Sequence, residues 1–349
     1  MINKNKIPVG ILGATGSVGQ KFIELLQDHP WFKITALGAS ERSAGKLYKH
    51  ASNWFQQRPI PARIANMVVS ECKPDLPCRI VFSGLDASVA GPIEEAFAEA
   101  GYIVISNAKN HRMTDNVPLL VPDINPDHLD LIKFQKYKGK IVTNPNCSTT
   151  GLVMALKPLQ DVYGIEKVSV VTMQALSGAG YPGISSLDII DNMIPYIGGE
   201  EEKMQIETLK ILGKVHDEKI DFADLTISAQ CNRVPVMNGH MEAVSVKLKQ
   251  PAKKDDMIKV WKTYRSEPQE LGLPFAPDPA IYYFEDPRFP QPRLHRDLGK
   301  GMAVSIGRLR DCSVLDYKFT VLSHNTVRGA AGGAILNAEL LIKKGYYEE

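Results

Sequence analysis

Cys147 stands in the run Asn144-Pro145-Asn146-Cys147-Ser148-Thr149-Thr150-Gly151, followed by the apolar stretch Leu152-Val153-Met154-Ala155-Leu156. The short apolar segment Ile141–Thr143 before it reads as a strand and the stretch after it as a helix, so the cysteine falls where one ends and the other begins. A thiolate at a helix N-terminus is stabilised by the helix dipole and by unpaired backbone N–H groups, which lowers its pKa and raises its nucleophilic fraction. The commoner fate of a lone cysteine is burial in a core, and the polar flank Asn146, Ser148, Thr149 and Thr150 weighs against that here. Covalent cysteine chemistry also needs a proton carrier. Among eight histidines the best placed is His240, between two strand-like segments, beside Gly239 and in a stretch that carries Arg233. His29, His50, His128, His216 and His295 sit in polar or loop contexts and read as solvated surface.

A second chemistry-bearing feature is the loop Gly13-Ala14-Thr15-Gly16-Ser17-Val18-Gly19, which follows the strand-like Ile7–Leu12 and opens a helical pattern with Phe22, Leu25 and Leu26 on one face. Glycines at such a turn let the backbone approach a pyrophosphate, and the helix N-terminus offers free N–H groups to it. The spacing differs from GxGxxG, and a bare strand-to-helix turn is the plainer reading of the motif alone. Cofactor choice is set after the second strand, where an acidic residue takes a ribose 2′-hydroxyl. Here that strand ends Gly38-Ala39-Ser40-Glu41-Arg42-Ser43. Ser40, Arg42 and Ser43 can donate to a 2′-phosphate, which favours NADP over NAD, with Glu41 the one contrary residue.

The elements that must hold these groups follow from periodicity. Strand-like Lys33–Gly38, Arg79–Ser83 and Tyr102–Ser106 alternate with helical Gly19–Gln27 and Val89–Ala100, the pitch of βαβ units on a parallel sheet. The second half carries strand-like Val168–Ala175, Thr226–Cys231, Glu242–Leu248, Ala303–Arg310 and Tyr317–Leu322, with helical Glu202–Leu212 and Lys254–Tyr264 between them. That pattern predicts an α+β domain on a largely antiparallel sheet. Seven prolines crowd Pro268–Pro292, which reads as an irregular loop, and Arg328–Lys344 closes the chain as a helix. The fold class expected is therefore α/β: a Rossmann-type doubly wound parallel sheet plus an α+β catalytic domain. A chain of 349 residues suits two domains. Residues 1–147, completed by 326–349, form the expected nucleotide domain, and 148–325 the catalytic and oligomerisation domain.

Composition excludes several classes. With 44% hydrophobic residues and a net charge of +2, the chain is neither disordered nor drawn strongly to nucleic acid or an anionic membrane. No apolar run approaches the roughly 18 residues of a membrane span. The lysine-bearing N-terminus runs into the glycine loop rather than a cleavage site, so it reads as a strand and not a leader. Five scattered cysteines, with no CxxC pair and no HExxH, predict reduced thiols, no disulfide framework and no metal site, in a cytoplasmic protein.

Seven motifs in order carry a resemblance across nearly the whole chain: GATGSVGQ (13–20), SNAKNHRM (106–113), PNCSTTGL (145–152), MQALSGAGYPG (173–183), GGEEEKMQIET (198–208), NRVPVMNGHMEAV (232–244) and NTVRGAAGGA (325–334). The sequence resembles the aspartate-β-semialdehyde dehydrogenase family in its archaeal and fungal form. The resemblance implies Cys147 as nucleophile, His240 as acid/base, and Gln174 as a residue orienting the acyl intermediate. It implies Arg233 on the substrate carboxylate and an acidic residue on the amino group, at Glu200 with Glu201 and Glu202 adjacent. It implies Lys203 and Arg112 on phosphate with Asn110 and Asn146 nearby, and Ser177, Gly178 and Asn325 around the nicotinamide.

Each of these has a plainer rival. Glu200–Glu202 and Lys203 also read as a solvated helix start, and Arg112 alone as surface. Gln174 inside an apolar strand is harder to set aside, because a buried amide needs partners. One departure from the family falls at His295, where an acidic residue is expected.

The implied reaction is NADPH-dependent reductive dephosphorylation of β-aspartyl phosphate to aspartate semialdehyde, on the route to lysine, threonine and methionine, in a homodimer or homotetramer. The rivals are N-acetyl-glutamyl-phosphate reductase, whose motif reads PGC, malonyl-CoA reductase, and a nucleotide-binding regulator without catalysis, which would need neither Cys147 nor His240.

Overall fold

The structure, a computed structural model, describes residues 6–347. Residues 1–5 and 348–349, at the outer ends of the expected nucleotide domain, lie outside the described residues.

Six strands build the first sheet: β1 (Ile7–Leu12), β2 (Phe32–Ala39), β3 (Ser70–Glu71), β4 (Ile80–Ser83), β5 (Ile103–Ser106) and β6 (Lys140–Thr143). Every neighbouring pair is parallel, in the order β3-β2-β1-β4-β5-β6. Alternate residues feed separate cores: Ile80 and Phe82 enter one cluster and Val81 the other. Both faces are therefore covered, which is why these strands read as unbroken apolar runs. Strand order reverses between β1 and β4, and the crevice at their carboxyl ends is where open α/β sheets bind ligands.

The second half folds as β7 (Ile165–Gln174), a hairpin of β8 (Lys214–His216) and β9 (Lys219–Asp221), then β10 (Thr226–Arg233), β11 (His240–Leu248), β12 (Ile281–Phe284), β13 (Val304–Asp311) and β14 (Tyr317–Ser323). The large sheet runs β10-β7-β11-β14-β13-β12. Its three central pairings are antiparallel and its two outer ones parallel, so the sheet is mixed. The proline-rich segment is not a plain loop. Ile281-Tyr282-Tyr283-Phe284, free of proline and rich in β-favouring residues, pairs with β13 as an edge strand.

One face of this sheet, through Val170, Val244 and Phe319, packs on the helix Cys147–Tyr163. The other face stays partly open, with Val171 37% exposed and Ser169 and Ala243 exposed beside it.

The chain end returns to the first sheet. A wide turn at Val327–Ala331 leads into the helix Gly332–Lys343, whose Ile335, Leu336, Leu340 and Leu341 share a cluster with Val9, Phe22 and Ile105. In the opposite sense, Leu119, Val121 and Ile124 pack into the core of the second sheet. Among the described residues no helix is long and apolar enough to cross a membrane.

Candidate active site

β6 delivers the chain to Asn146, which caps the helix Cys147–Tyr163: its side-chain oxygen accepts the N–H of Ser148 at 2.9 Å and of Thr149 at 3.3 Å. Cys147 is the first helical residue, and its Sγ lies 3.1 Å from Nε2 of His240, the first residue of β11. The far side of the ring is held too, since Nδ1 accepts the Ala175 N–H at 3.0 Å. Burial, with the charges of Arg233 and His324, pushes His240 down to about 3. The expectation of a lowered cysteine pKa is corrected. Burial, and then the charge of Glu200, push the Cys147 thiol up to about 12, against the opposing pull of Arg233, Arg112 and the Ser148 N–H.

A polar cluster surrounds the pair. The helix Glu200–Ile211 places Glu200, Lys203 and Glu207 on one face, at i, i+3 and i+7. Of the three successive glutamates, Glu200 turns inward. Its carboxylate meets Lys203 Nζ at 2.9 Å, Asn146 Nδ2 at 2.8 Å and Gln174 Nε2 at 3.4 Å. Burial opposes ionisation of Glu200, but Lys203, Asn146 and Gln174 outweigh it and hold the carboxyl below its ordinary value. Glu201 instead accepts the Cys231 N–H, and Glu202 is exposed.

Arg233 is 5% exposed and donates to the Ala175 carbonyl at 2.7 Å. Gly178 lies against both Arg233 and His240. Arg112 is buried rather than at the surface, paired with Glu207 at 2.8 Å and donating to the Asn107 carbonyl. The motifs had not singled out Glu207, whose other oxygen accepts the Asn146 N–H at 2.7 Å. Its spacing of seven from Glu200 was the available signal. Asn110 is not brought in; exposed, it folds back to donate to the Ala87 carbonyl.

The nucleotide side is assembled from three segments. Gly13 has φ +73°, and a Cβ there would stand 2.7 Å from the Gly84 carbonyl oxygen, so the turn into helix Ser17–Leu26 demands glycine. That helix starts at Gly16 with no side-chain cap; the Gly16 N–H turns back to the Gly13 carbonyl at 3.0 Å, and the N–H groups of Ser17 and Val18 are left to a ligand. At the end of β2, Ser40, Glu41 and Arg42 are exposed, and Ser43 turns back to hydrogen-bond the Ser40 carbonyl at 2.8 Å. Asn325 joins the far wall, donating to Ser177 Oγ at 2.8 Å and accepting the Gly239 N–H at 2.9 Å.

Between these segments runs a cleft of about 470 Å³ lined by Ser17, Val18, Ser177, Asn238, His324 and Thr326. His324 carried no sequence signal. At the cleft's rim Tyr181, inside the 173–183 motif but given no role there, stacks on Phe55 at 4.6 Å. A larger cavity of about 600 Å³, walled by Leu25, Phe275, Pro277 and Met302, contains none of the expected site residues.

Two of the histidines read as solvated are buried. His29 meets Glu339 at 2.7 Å, and His128 lies between Asn125 and the Gly213 carbonyl. Glu339 and Gly213 come from 310 and 85 residues away, beyond what local context can reveal. His50 and His216 are exposed, and His295 packs between Phe284 and Phe289. All five cysteines are free; Cys78 and Cys231 are buried, and Cys72, Cys147 and Cys312 are partly covered.

The class follows from the two halves. The family described as semialdehyde dehydrogenase, NAD binding domain, matches residues 8–132, and that described as semialdehyde dehydrogenase, dimerisation domain, matches 156–328. The chain is 54% identical to the aspartate-semialdehyde dehydrogenase of Schizosaccharomyces pombe, over 97% of this chain and 98% of that one. It is 50% identical to the enzyme of the same name from Archaeoglobus fulgidus, over 96% of this chain and 98% of that one. The crystal structure of aspartate semialdehyde dehydrogenase with NADP from Candida albicans superposes with a TM-score of 0.92 at 47% identity, covering 98% of this chain and all of that one. A second, aspartate semialdehyde dehydrogenase II complexed with ASA from Vibrio cholerae, gives a TM-score of 0.77 at 28% identity, covering 99% and 100%. The chain belongs to the aspartate-semialdehyde dehydrogenase family.

Proposed function

We propose that the protein catalyses the reversible NADPH-dependent reductive dephosphorylation of β-aspartyl phosphate to aspartate semialdehyde, through a thioester on Cys147. The observation that carries this reading is Cys147 Sγ at 3.1 Å from His240 Nε2, at the N-terminus of a helix, ringed by Arg233, Glu200, Lys203 and Arg112. The substrate has a carboxylate, an ammonium and a phosphate. Arg233 offers a fork for the carboxylate, Glu200 a charge for the ammonium, and Lys203 with Arg112 cations for the phosphate. Gln174 and Asn146, both tied to Glu200, hold the acyl group's surroundings in place.

The glycine loop and the uncapped helix behind it suit a pyrophosphate, and Arg42 with Ser40 and Ser43 suits a 2′-phosphate. NADPH bound there would supply hydride to the thioester, with Ser177, Gly178 and Asn325 placed to wall the nicotinamide. Residues 1–147 with 326–349 act as the cofactor unit and 148–325 as the catalytic unit. We infer a homodimer, or a tetramer built from it, through the open face of the second sheet around Val171 and Ala243, and a cytoplasmic setting that keeps the thiols reduced.

The asparagine before the cysteine favours this substrate over that of an N-acetyl-glutamyl-phosphate reductase. Its side chain caps the helix and reaches Glu200, which a glycine there does not. The test is phosphate-dependent reduction of NADP with aspartate semialdehyde, run beside malonyl-CoA-dependent oxidation of NADPH. Activity is expected with the semialdehyde and lost in Cys147→Ala while NADP still binds; activity with the CoA ester alone would refute the assignment.

A further inference from the structure

The segment from Ser106 to Arg112 carries one of the two cations assigned to phosphate, and a helix of the nucleotide half is shaped to hold it. That helix, Ala87–Glu99, lies between β4 and β5. Ala87, Gly91 and Glu94 share one of its faces, at i, i+4 and i+7. The Ala87 carbonyl accepts Asn110 Nδ2 at 3.0 Å, and Gly91 leaves room for that side chain, since a Cβ there would stand 3.1 Å from the same nitrogen. Glu94, the third residue of the stripe, is fully buried and has no part in the chemistry proposed above. A buried carboxyl is costly unless it is hydrogen-bonded. Here Oε1 accepts the Ser106 hydroxyl at 2.7 Å, and Ser106 Oγ in turn accepts the Ala108 N–H at 3.0 Å. The other oxygen, Oε2, lies 3.6 Å from His111 Nε2.

Both contacts end beside Arg112. Asn107, which follows Ser106, offers its carbonyl to Arg112 Nη2 at 2.7 Å, and His111 precedes Arg112 in the chain. On the catalytic side Glu207 pairs with Nη1 at 2.8 Å, and Lys210 Nζ takes the Arg112 carbonyl at 2.8 Å. The guanidinium is left with Nε, which is buried and finds no partner among the described residues, as a donor for an incoming anion. We propose that Glu94 is a positioning residue of the phosphate site, holding Arg112 through Ser106 and His111 at the two ends of the segment that carries it. This rests on the function proposed above. Glu94 touches neither substrate nor cofactor; it fixes the cofactor side of a segment whose catalytic side Glu207 and Lys210 already fix.

The test reads phosphate in the direction where it is a substrate, the reduction of NADP with aspartate semialdehyde. Glu94→Ala is expected to raise KM for phosphate roughly tenfold, the scale of one weakened charge-assisted hydrogen bond, while KM for the semialdehyde, KM for NADP and kcat at saturating phosphate move by no more than about twofold. Glu94→Gln keeps an oxygen for the Ser106 hydroxyl and is expected to return KM for phosphate to within about threefold of wild type. A merely structural glutamate would lower Tm and shift all the kinetic constants together or none of them. That pattern, or a wild-type phosphate KM in folded Glu94→Ala, would overturn the proposal. Should Glu94→Ala fail to fold, Ser106→Ala carries the same test: its KM for phosphate is expected to rise about fivefold with the other constants held, and an unchanged value overturns the proposal. A readout without turnover separates this from the substrate assignment. Inorganic phosphate is expected to slow alkylation of Cys147 by iodoacetamide, with a half-effect concentration roughly tenfold higher in Glu94→Ala than in wild type. Equal concentrations would sink the role of Glu94 whatever the substrate, whereas a wild type that does not reduce NADP with the semialdehyde would sink the function alone.

Discussion

Gly329 is pressed against Cys147: a Cβ on the glycine would stand 2.6 Å from the cysteine's Cβ and 2.8 Å from its Cα. The neighbouring Arg328 is buried and paired with Asp123 at 2.5 Å, so the segment cannot drift away from the catalytic helix. The last segment of the chain thus acts as a wall for the first residue of a helix that begins 182 residues earlier.

Replacing Gly329 by alanine should therefore displace the nucleophile itself. Both approaches are below any distance a real Cβ adopts, and the nearest atoms are backbone or bonded to it. Overpacking of this kind costs about 1–3 kcal/mol, and a misplacement of about 1 Å at a reacting atom costs on the order of 100-fold in rate. Gly329→Ala is expected to fold with a lowered Tm and to lose roughly 100-fold in kcat, measured by thermal melting and initial rates. Wild-type kcat in a well-folded variant would show that the wall is not needed.

Arg42, exposed at the end of β2, should discriminate between the two nicotinamide cofactors. A charge-assisted hydrogen bond contributes about 1.5–3 kcal/mol, so Arg42→Ala should raise KM for NADPH by roughly 10- to 100-fold. NADH lacks the 2′-phosphate, and its kinetics should hardly move. Parallel initial-rate series with the two cofactors check this; equal effects on both would remove Arg42 from the 2′-phosphate site.

Acid should unfold the protein through its buried histidines. Burial takes His29, His240 and His324 down from the ordinary 6.5 to about 3. His29 shows why protonation is resisted: its Nδ1 accepts the N–H groups of Trp31 and Phe32, both at 3.1 Å, and has no room for a proton. With folded values depressed, the unfolded chain binds more protons below 6.5. Stability is thus fully present above that pH and is lost as pH falls toward 3. Each such histidine contributes about 1.4 kcal/mol per pH unit across the window. Glu339 and Glu242, pushed up by burial, bind protons in the folded state over the same range and offset part of this, so the readout is a difference: His29→Gln should flatten the urea-midpoint profile by about one proton relative to wild type. Parallel wild-type and His29→Gln profiles through this range would contradict the account.

The parts of this protein that were legible in its sequence are those where neighbours along the chain do the physics. The strand–glycine–helix signature at Gly13–Gly19 and the strand–Asn-Cys–helix junction at Cys147 are local backbone events, and both stand where periodicity placed them. The doubly wound sheet followed from the alternation of short apolar runs with amphipathic ones. Edge strands were harder. β3 is only two residues long, and β12 lay hidden among prolines because a four-residue run gives no periodic signal.

By itself, then, the sequence determined the glycine turn, the nucleophile at its helix start and the order of the motifs. Only the tertiary structure decided the company they keep. Glu207 reaches Asn146 and Arg112, the Ala175 N–H holds the ring of His240, Gly329 braces Cys147, and two histidines expected at the surface are buried with partners drawn from far along the chain. The physical reason is range. A turn or a cap depends on a few adjacent dihedrals, whereas the charge and protonation state of a buried group depend on whatever folding packs around it.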